Sequence, residues 1–372
     1  MDIAIWGTKK EAIYLKQQLC NCSKYSVKFF LDNDIEKHNE YFDGIICRSL
    51  ESMLQLGINI DAVLICVRGT QSRISIYKQL RELYNGKIAF TKMKFIVCEE
   101  QFRDSDLYWL ESNKEVIPYL ETNIVDGCNL KCKGCTHFAQ LFTTKDFYSL
   151  ENYNRDLAQL SDMCDVVQVR LLGGEPLMLE NIEEYVIATR TIMPRADISI
   201  VTNGLLINKM TNRFFHVLKE SDAYINISVY PPTQKKLDKI ISLLQKQEVS
   251  FSLQWTEDKE MIDIFWANLS LRGDSNVMVS SKICHSSGCR FLRNGRLYKC
   301  PTEGLIDRFN EEYKTGLELS NGINIYDNKI DWSILLEQMN SNGVEMCKYC
   351  AETVREFGWE VANKPAKDDW LV

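Results

Sequence analysis

Three cysteines crowd into the segment Gly127-Cys128-Asn129-Leu130-Lys131-Cys132-Lys133-Gly134-Cys135, directly after an apolar stretch that ends at Val125. Thiols this close in sequence can wrap a metal cluster only if a loop presents them, so a strand must give way to a loop here. Three ligands leave one iron of a cubane open for reaction, whereas a fourth cysteine would close it into an electron carrier. The alternative on these residues is half a zinc site from Cys132 and Cys135, with His137.

The rest of the chain bounds what surrounds that loop. At 372 residues it exceeds the roughly 250–300 at which a single core stops growing, so two or three domains are expected. No apolar run approaches the ~18 residues of a membrane span, and the start, MDIAIWGTKKEA, lacks the charged-then-apolar pattern of an export signal. A cytoplasmic protein with no membrane partner is expected. A net charge of −7 argues against a nucleic-acid backbone as the main partner. Fourteen cysteines without an export signal fit reduced thiols or metal ligands better than a disulfide framework. Eight fall in tight groups, and the other six (Cys20, Cys22, Cys47, Cys66, Cys98, Cys164) read as small buried apolar residues.

Hydrophobic patterning predicts an α/β fold in three parts. Residues 1–115 read as a Rossmann-like domain, with an apolar strand Ile3-Ala4-Ile5-Trp6, a Gly7-Thr8 turn, an amphipathic helix and a second strand ending at Asp32. Asp32 stands where a ribose-binding acid would, yet the turn lacks the glycines that admit a pyrophosphate, so a recognition or packing role is expected. Residues 116–282 alternate strands (121–125, 166–172, 198–202, 224–230, 251–255) with helices, the pattern of a parallel sheet. One helix carries Leu150, Tyr153, Leu157 and Leu160 on a face, another Leu237, Ile240, Ile241 and Leu244. Residues 283–372 are richer in cysteine and turns, as a small metal-supported domain would be.

The cysteine segment resembles the CxxxCxxC motif of the radical S-adenosylmethionine (SAM) superfamily, and the order of motifs over about residues 120–260 is similar to that family's. Leu172-Gly173-Gly174-Glu175-Pro176 matches its Gly-Gly-Glu-Pro motif, Thr202-Asn203-Gly204 its ribose-side turn and Ile227-Ser228 its serine-bearing strand end. The resemblance implies a partial (β/α)6 barrel in which Cys128, Cys132 and Cys135 hold a [4Fe-4S] cluster that splits SAM. Gly173 and Gly174 would let the backbone approach the methionine part of SAM, and Glu175 would accept from its ammonium. Asn203 and Ser228 would lie near the ribose, and an electron donor such as flavodoxin or ferredoxin is implied. The family usually has an aromatic residue just before the third cysteine, packed by the adenine. This chain has Gly134 there, a departure that bears on the adenine pocket and not on the cluster.

A second set, Cys284, Cys289, Cys300, Cys347 and Cys350, resembles the auxiliary-cluster domains called SPASM and twitch, and is closest to the shorter twitch version. Cys284, Cys300, Cys347 and Cys350 would close one auxiliary [4Fe-4S] cluster that passes electrons, with a zinc ribbon as the alternative. Cys289 is left over as an exchange ligand, a packing residue or a hydrogen-atom donor. Strand alternation places Gln168, Arg170, Asn226 and Ser228, with Asn123, Ser252 and Gln254, on the face away from the helices. A polar lumen of this kind fits a hydrogen-bonding substrate, with Arg170 and Gln168 its candidate contacts. The expected function is a radical SAM oxidoreductase acting on a sugar-like or other polyhydroxylated small molecule. The alternatives are a peptide or protein maturase (crosslinking, epimerising or formylglycine-forming) and a non-enzymatic zinc or redox-sensing protein.

Overall fold

A computed structural model describes residues 1–110, 114–143, 145–256, 259–341 and 343–372, and the chain divides into two units, Met1–Asn113 and Lys114–Val372. In the first unit five parallel strands lie in the order Ile45–Arg48, Ser26–Leu31, Asp2–Trp6, Ala62–Ile65, Lys87–Thr91. Ala62–Ile65 is buried throughout, as a strand covered on both faces must be. The chain adds strands to one side of Asp2–Trp6 and then crosses to the other, so the sheet has a crevice at the carboxyl ends of its central strands. A cavity of about 490 Å³ lies there, lined by Gly7, Thr8, Asp32, Lys37 and Arg68 among others. Asp32 accepts from the Thr8 hydroxyl at 2.6 Å and from the Lys37 ammonium at 2.9 Å. Gly7 has φ +124°, and a Cβ on it would lie 2.6 Å from the Cys66 carbonyl oxygen, so close strand packing alone demands a glycine there.

The second unit is an open sheet, not a closed barrel. Five parallel strands run in the spatial order Phe251–Gln254, Tyr224–Ser228, Asp197–Thr202, Gln168–Gly173, Leu120–Val125. Phe291–Arg293 continues the sheet parallel to Leu120–Val125, followed by Arg296–Tyr298 and Ile323–Asn324. Residues after 282 therefore share a sheet with those before, and Cys350–Gly358 also pairs antiparallel with Ile264–Leu269. The apolar parity packs on helices as expected: Val169, Leu171, Ile225 and Ile227 share a core with Tyr153, Leu157, Leu160, Ile240 and Leu244. Each such buried side chain contributes about 1.5–3 kcal/mol. Ser149 and Thr211 cap the helices Leu150–Met163 and Asn212–Glu220, accepting from Asn152 N and Phe214 N.

Two local expectations change. The strand expected at 166–172 is two strands: Cys164–Val166 pairs with Glu115–Ile117, and Gln168–Gly173 joins the large sheet. Val167 is the switch, donating to Ile117 O while its carbonyl accepts from Asp197 N. Of the six ungrouped cysteines, Cys47, Cys66 and Cys164 are buried, whereas Cys22 and Cys98 are half-buried and Cys20 is exposed. Cys20 ends the helix Lys10–Cys20 off its buried stripe of Ala12, Leu15 and Leu19. Among the described residues no helix is long and apolar enough to cross a membrane.

Candidate active site

The strand Leu120–Val125 ends where the cysteine loop begins, and neighbouring strand ends hold that loop. Gly174 N donates to Val125 O at 2.8 Å and Glu175 N to Gly127 O at 3.0 Å. A Cβ on Gly173 would lie 1.7 Å from Val125 O and one on Gly174 2.1 Å from Gly127 O. The two glycines thus allow chain to meet chain beneath the loop. Glu175 is fully buried, and its carboxylate accepts from the Thr202 hydroxyl (2.5 Å), Asn203 N (2.8 Å) and Leu177 N (3.1 Å). Burial pushes this carboxyl up to about 7 against those three donors. The acid expected to meet the SAM ammonium therefore already ties two loops together. Asn203 in turn donates to Asn129 Oδ1 at 2.7 Å, inside the cysteine loop.

Burial pushes the Cys132 thiol up to about 12, and raises Cys128 and Cys135 as well. Iron bound there would have to displace their protons, and N–H groups already face the sulfurs. Leu130 N lies 3.3 Å from Cys128 Sγ and Trp359 Nε1 3.2 Å from Cys132 Sγ. Among the described residues no group of three His, Cys, Asp or Glu side chains could hold a single metal ion. A cubane asks for something else, since each thiolate binds a different iron. A three-thiol loop with donors aimed at its sulfurs fits such a cluster.

One cavity of about 410 Å³ brings the two cysteine sets together: Cys128, Cys132 and Cys135 line it, and so do Cys284, Cys289, Cys300 and Cys350. Arg170, Ser228 and Gln254 open on it as strand parity predicts, with Gly173, Gly174 and Asn203. Gln168 lies deeper and donates to the Tyr224 hydroxyl at 3.1 Å, while Asn226 donates to the Ser252 hydroxyl at 2.9 Å. Sequence reasoning passed over Tyr119 and Glu121, which also line the cavity. Arg170 donates to the Tyr119 hydroxyl and lies 3.9 Å from Glu121, and Tyr119 donates to Glu121 Oε1 at 2.5 Å.

His137 is a further cavity residue, considered from sequence only as a zinc ligand. Arg293 grips both oxygens of Asp126 at 2.8 and 2.9 Å, and Asp126 accepts from Asn123 Nδ2 at 2.9 Å. That fixes the Asn123 amide so that its oxygen, 3.0 Å away, accepts from His137 Nδ1. The ring is then held with its proton on Nδ1 and a lone pair on Nε2. Burial pushes His137 down, toward the neutral form, although Glu121 and Asp126 pull the other way.

The second set is built similarly. Ser286 N lies 3.3 Å from Cys284 Sγ, and Glu303 N, in the first turn of the helix Pro301–Tyr313, lies 3.5 Å from Cys300 Sγ. Cys284, Cys300, Cys347 and Cys350 are close enough to act electrostatically on one another or on shared neighbours. Two buried cations, Lys299 and Arg290, adjoin them, and burial lowers both, Arg290 to about 10. Anionic four-thiolate centres call for such positive neighbours. Cys289 stands between the two groups, close enough to act electrostatically on Cys284 and Arg290 and also on Glu121 and Arg170.

Residues 122–248 match the model of the Radical SAM superfamily. The chain carries a radical SAM domain. Among curated relatives, the GTP 3',8-cyclase of Helicobacter pylori is 26% identical over 152 residues, covering 40% of this chain and 45% of that protein. The GTP 3',8-cyclase of Alkaliphilus oremlandii is 32% identical over 123 residues, covering 30% and 35%. The chain thus spans less than half the length of these relatives. Among solved structures, BtrN in complex with AdoMet and 2-DOIA aligns over 66% of this chain and 97% of its own, at 15% identity and a TM-score of 0.39.

Proposed function

We propose that this protein is a radical SAM oxidoreductase that oxidises a hydroxyl-bearing small molecule, with a second iron-sulfur cluster as its internal electron acceptor. The observation that carries this is the shared cavity, in which both cysteine sets open on the polar cluster of Arg170, Tyr119, Glu121 and His137. Cys128, Cys132 and Cys135 would hold the first cluster, and Cys284, Cys300, Cys347 and Cys350 the second. When bound, the first supplies the electron that splits SAM into methionine and a hydrogen-abstracting 5′-deoxyadenosyl radical, and the second takes the electron a carbinol radical gives up.

The chain's own side chains do the rest. Arg170, with Tyr119 and Glu121, orients substrate hydroxyls, and Gln168 steadies Tyr224 beneath them. His137 Nε2 accepts the hydroxyl proton that must leave as the carbonyl forms. Leu172, Val201, Ile262 and Phe265 line the same space and keep water from the radical. Gly173, Gly174, Asn203 and Ser228 line the part that SAM would occupy. Reduced thiols fit a cytoplasmic setting, where flavodoxin or ferredoxin would supply the first electron.

Anaerobically reconstituted protein with dithionite should convert SAM to 5′-deoxyadenosine, and replacing Cys128, Cys132 and Cys135 together by Ala should abolish this. Unchanged cleavage in the triple variant would end the reading. A panel of polyols set against short peptides, scored by deuterium transfer into 5′-deoxyadenosine, decides the substrate class.

A further inference from the structure

Gly134 occupies the place where an aromatic side chain was expected, and chain from the far C-terminus fills the space beside it. A Cβ on Gly134, whose φ is +64°, would lie 2.7 Å from Phe357 Cζ and 2.9 Å from Asp369 O. Two residues beyond Phe357, Trp359 lies nearly parallel to Tyr230, with ring centroids 6.0 Å apart and planes 16° from parallel. Tyr230 itself lines the cavity. The chain just after Trp359 is bound to the cysteine loop on both sides of Cys132. Lys133 N donates to Glu360 O at 2.9 Å, Ala362 N to Lys131 O at 2.7 Å, and the Lys133 ammonium reaches Glu360 Oε1 at 2.5 Å. Trp370 Nε1 donates to Cys135 O at 2.8 Å. In this setting the Trp359 indole N–H, which is a donor only, points at Cys132 Sγ from 3.2 Å.

We propose that Trp359 is a positioning residue for the first cluster: its N–H orients Cys132 Sγ and raises the cluster's reduction potential. The inference rests on the reading above that Cys128, Cys132 and Cys135 hold an iron-sulfur cluster. A hydrogen bond to a ligand sulfur stabilises negative charge, and the reduced cluster carries one more negative charge than the oxidised one. The bond is therefore stronger after reduction and draws the electron in. Gly134 leaves room for the chain that carries the indole, because a Cβ there would press on the Phe357 ring and on the Asp369 carbonyl.

The test is an EPR-monitored dithionite titration of full-length reconstituted protein, with the first cluster's signal recognised by its loss in Cys128→Ala. Trp359→Phe keeps an aromatic ring against Tyr230 and removes the donor. Its ratio of reduced to oxidised cluster at a fixed ambient potential should fall about threefold to tenfold with iron content unchanged, tenfold being about 59 mV for one electron. An unchanged potential with iron intact overturns the proposal. If Trp359→Phe loses iron, benzothienylalanine at position 359 preserves the indole shape without its N–H. The same fall in potential there supports the proposal, and an unchanged potential overturns it. Absence of iron from the unmodified protein would instead sink the cluster reading itself.

Discussion

Glu175 shows how much one buried side chain can be asked to do. Its two oxygens take three donors, two on Oε1 and Asn203 N on Oε2. Replacing it by Gln puts an amide NH2 on one side or the other. Whichever way the amide turns, a donor then faces a donor. Glu175→Gln should therefore destabilise the protein by about 1–3 kcal/mol despite removing a buried charge, a loss that thermal or urea denaturation would register. Equal or greater stability would mean that desolvation outweighs the hydrogen bonds. Gly174→Ala acts on the same loops, because its new methyl would fall 2.1 Å from Gly127 O, one residue before Cys128. Iron at the first site and 5′-deoxyadenosine formation should fall together, at least tenfold. Arg170→Ala should separate what Gly174→Ala joins: substrate oxidation is lost while uncoupled SAM cleavage survives, since Arg170 is bound among Tyr119, Glu121 and Asn226. Loss of both, with a normal cluster, would place Arg170 in the SAM site.

At the level of elements, the two cysteine sets should be separable. About eight iron atoms per chain should drop to about four when Cys347 and Cys350 become Ala, and 5′-deoxyadenosine should still form while oxidised product does not. About four irons in the unmodified protein, with zinc at the C-terminal site, would remove the electron-acceptor role. Much of this layout is legible from sequence, because local pattern suffices for it. Val169, Leu171, Ile225 and Ile227 alternate with polar neighbours, and that period of two alone tells which face meets the helices. The cysteine spacings and Gly173-Gly174 are equally local. What sequence could not show depends on contacts between distant residues. Val167 changes partner strand because Ile117 and Asp197 converge on it, and nothing within 166–172 says so. Trp359 meets Cys132 across 227 positions, and His137 becomes a fixed acceptor only through Asn123, Asp126 and Arg293.

At the scale of the whole molecule, each of the two units has its own apolar core, one around Ile5, Phe30, Leu64 and Phe95 and the other around Tyr153, Leu171, Ile200 and Ile225. All the residues proposed for SAM and both clusters fall in Lys114–Val372. A ligand that binds a folded state stabilises it by RT ln(1 + [L]/Kd), about 2.7 kcal/mol at a hundredfold excess over Kd. That free energy reaches only the cooperative unit that contains the site. Calorimetry of the reconstituted protein should therefore resolve two transitions, of which SAM raises one and leaves the other where it was. The same selectivity should hold for iron removal, because a chelator would strip iron from thiolates that one unit alone supplies, lowering a single transition. The fragment 114–372 should reproduce the SAM-sensitive transition and bind the same complement of iron. A single transition that SAM raised as a whole would mean that the units unfold as one cooperative body, and Met1–Asn113 would have to be counted in the stability of the unit that holds the site.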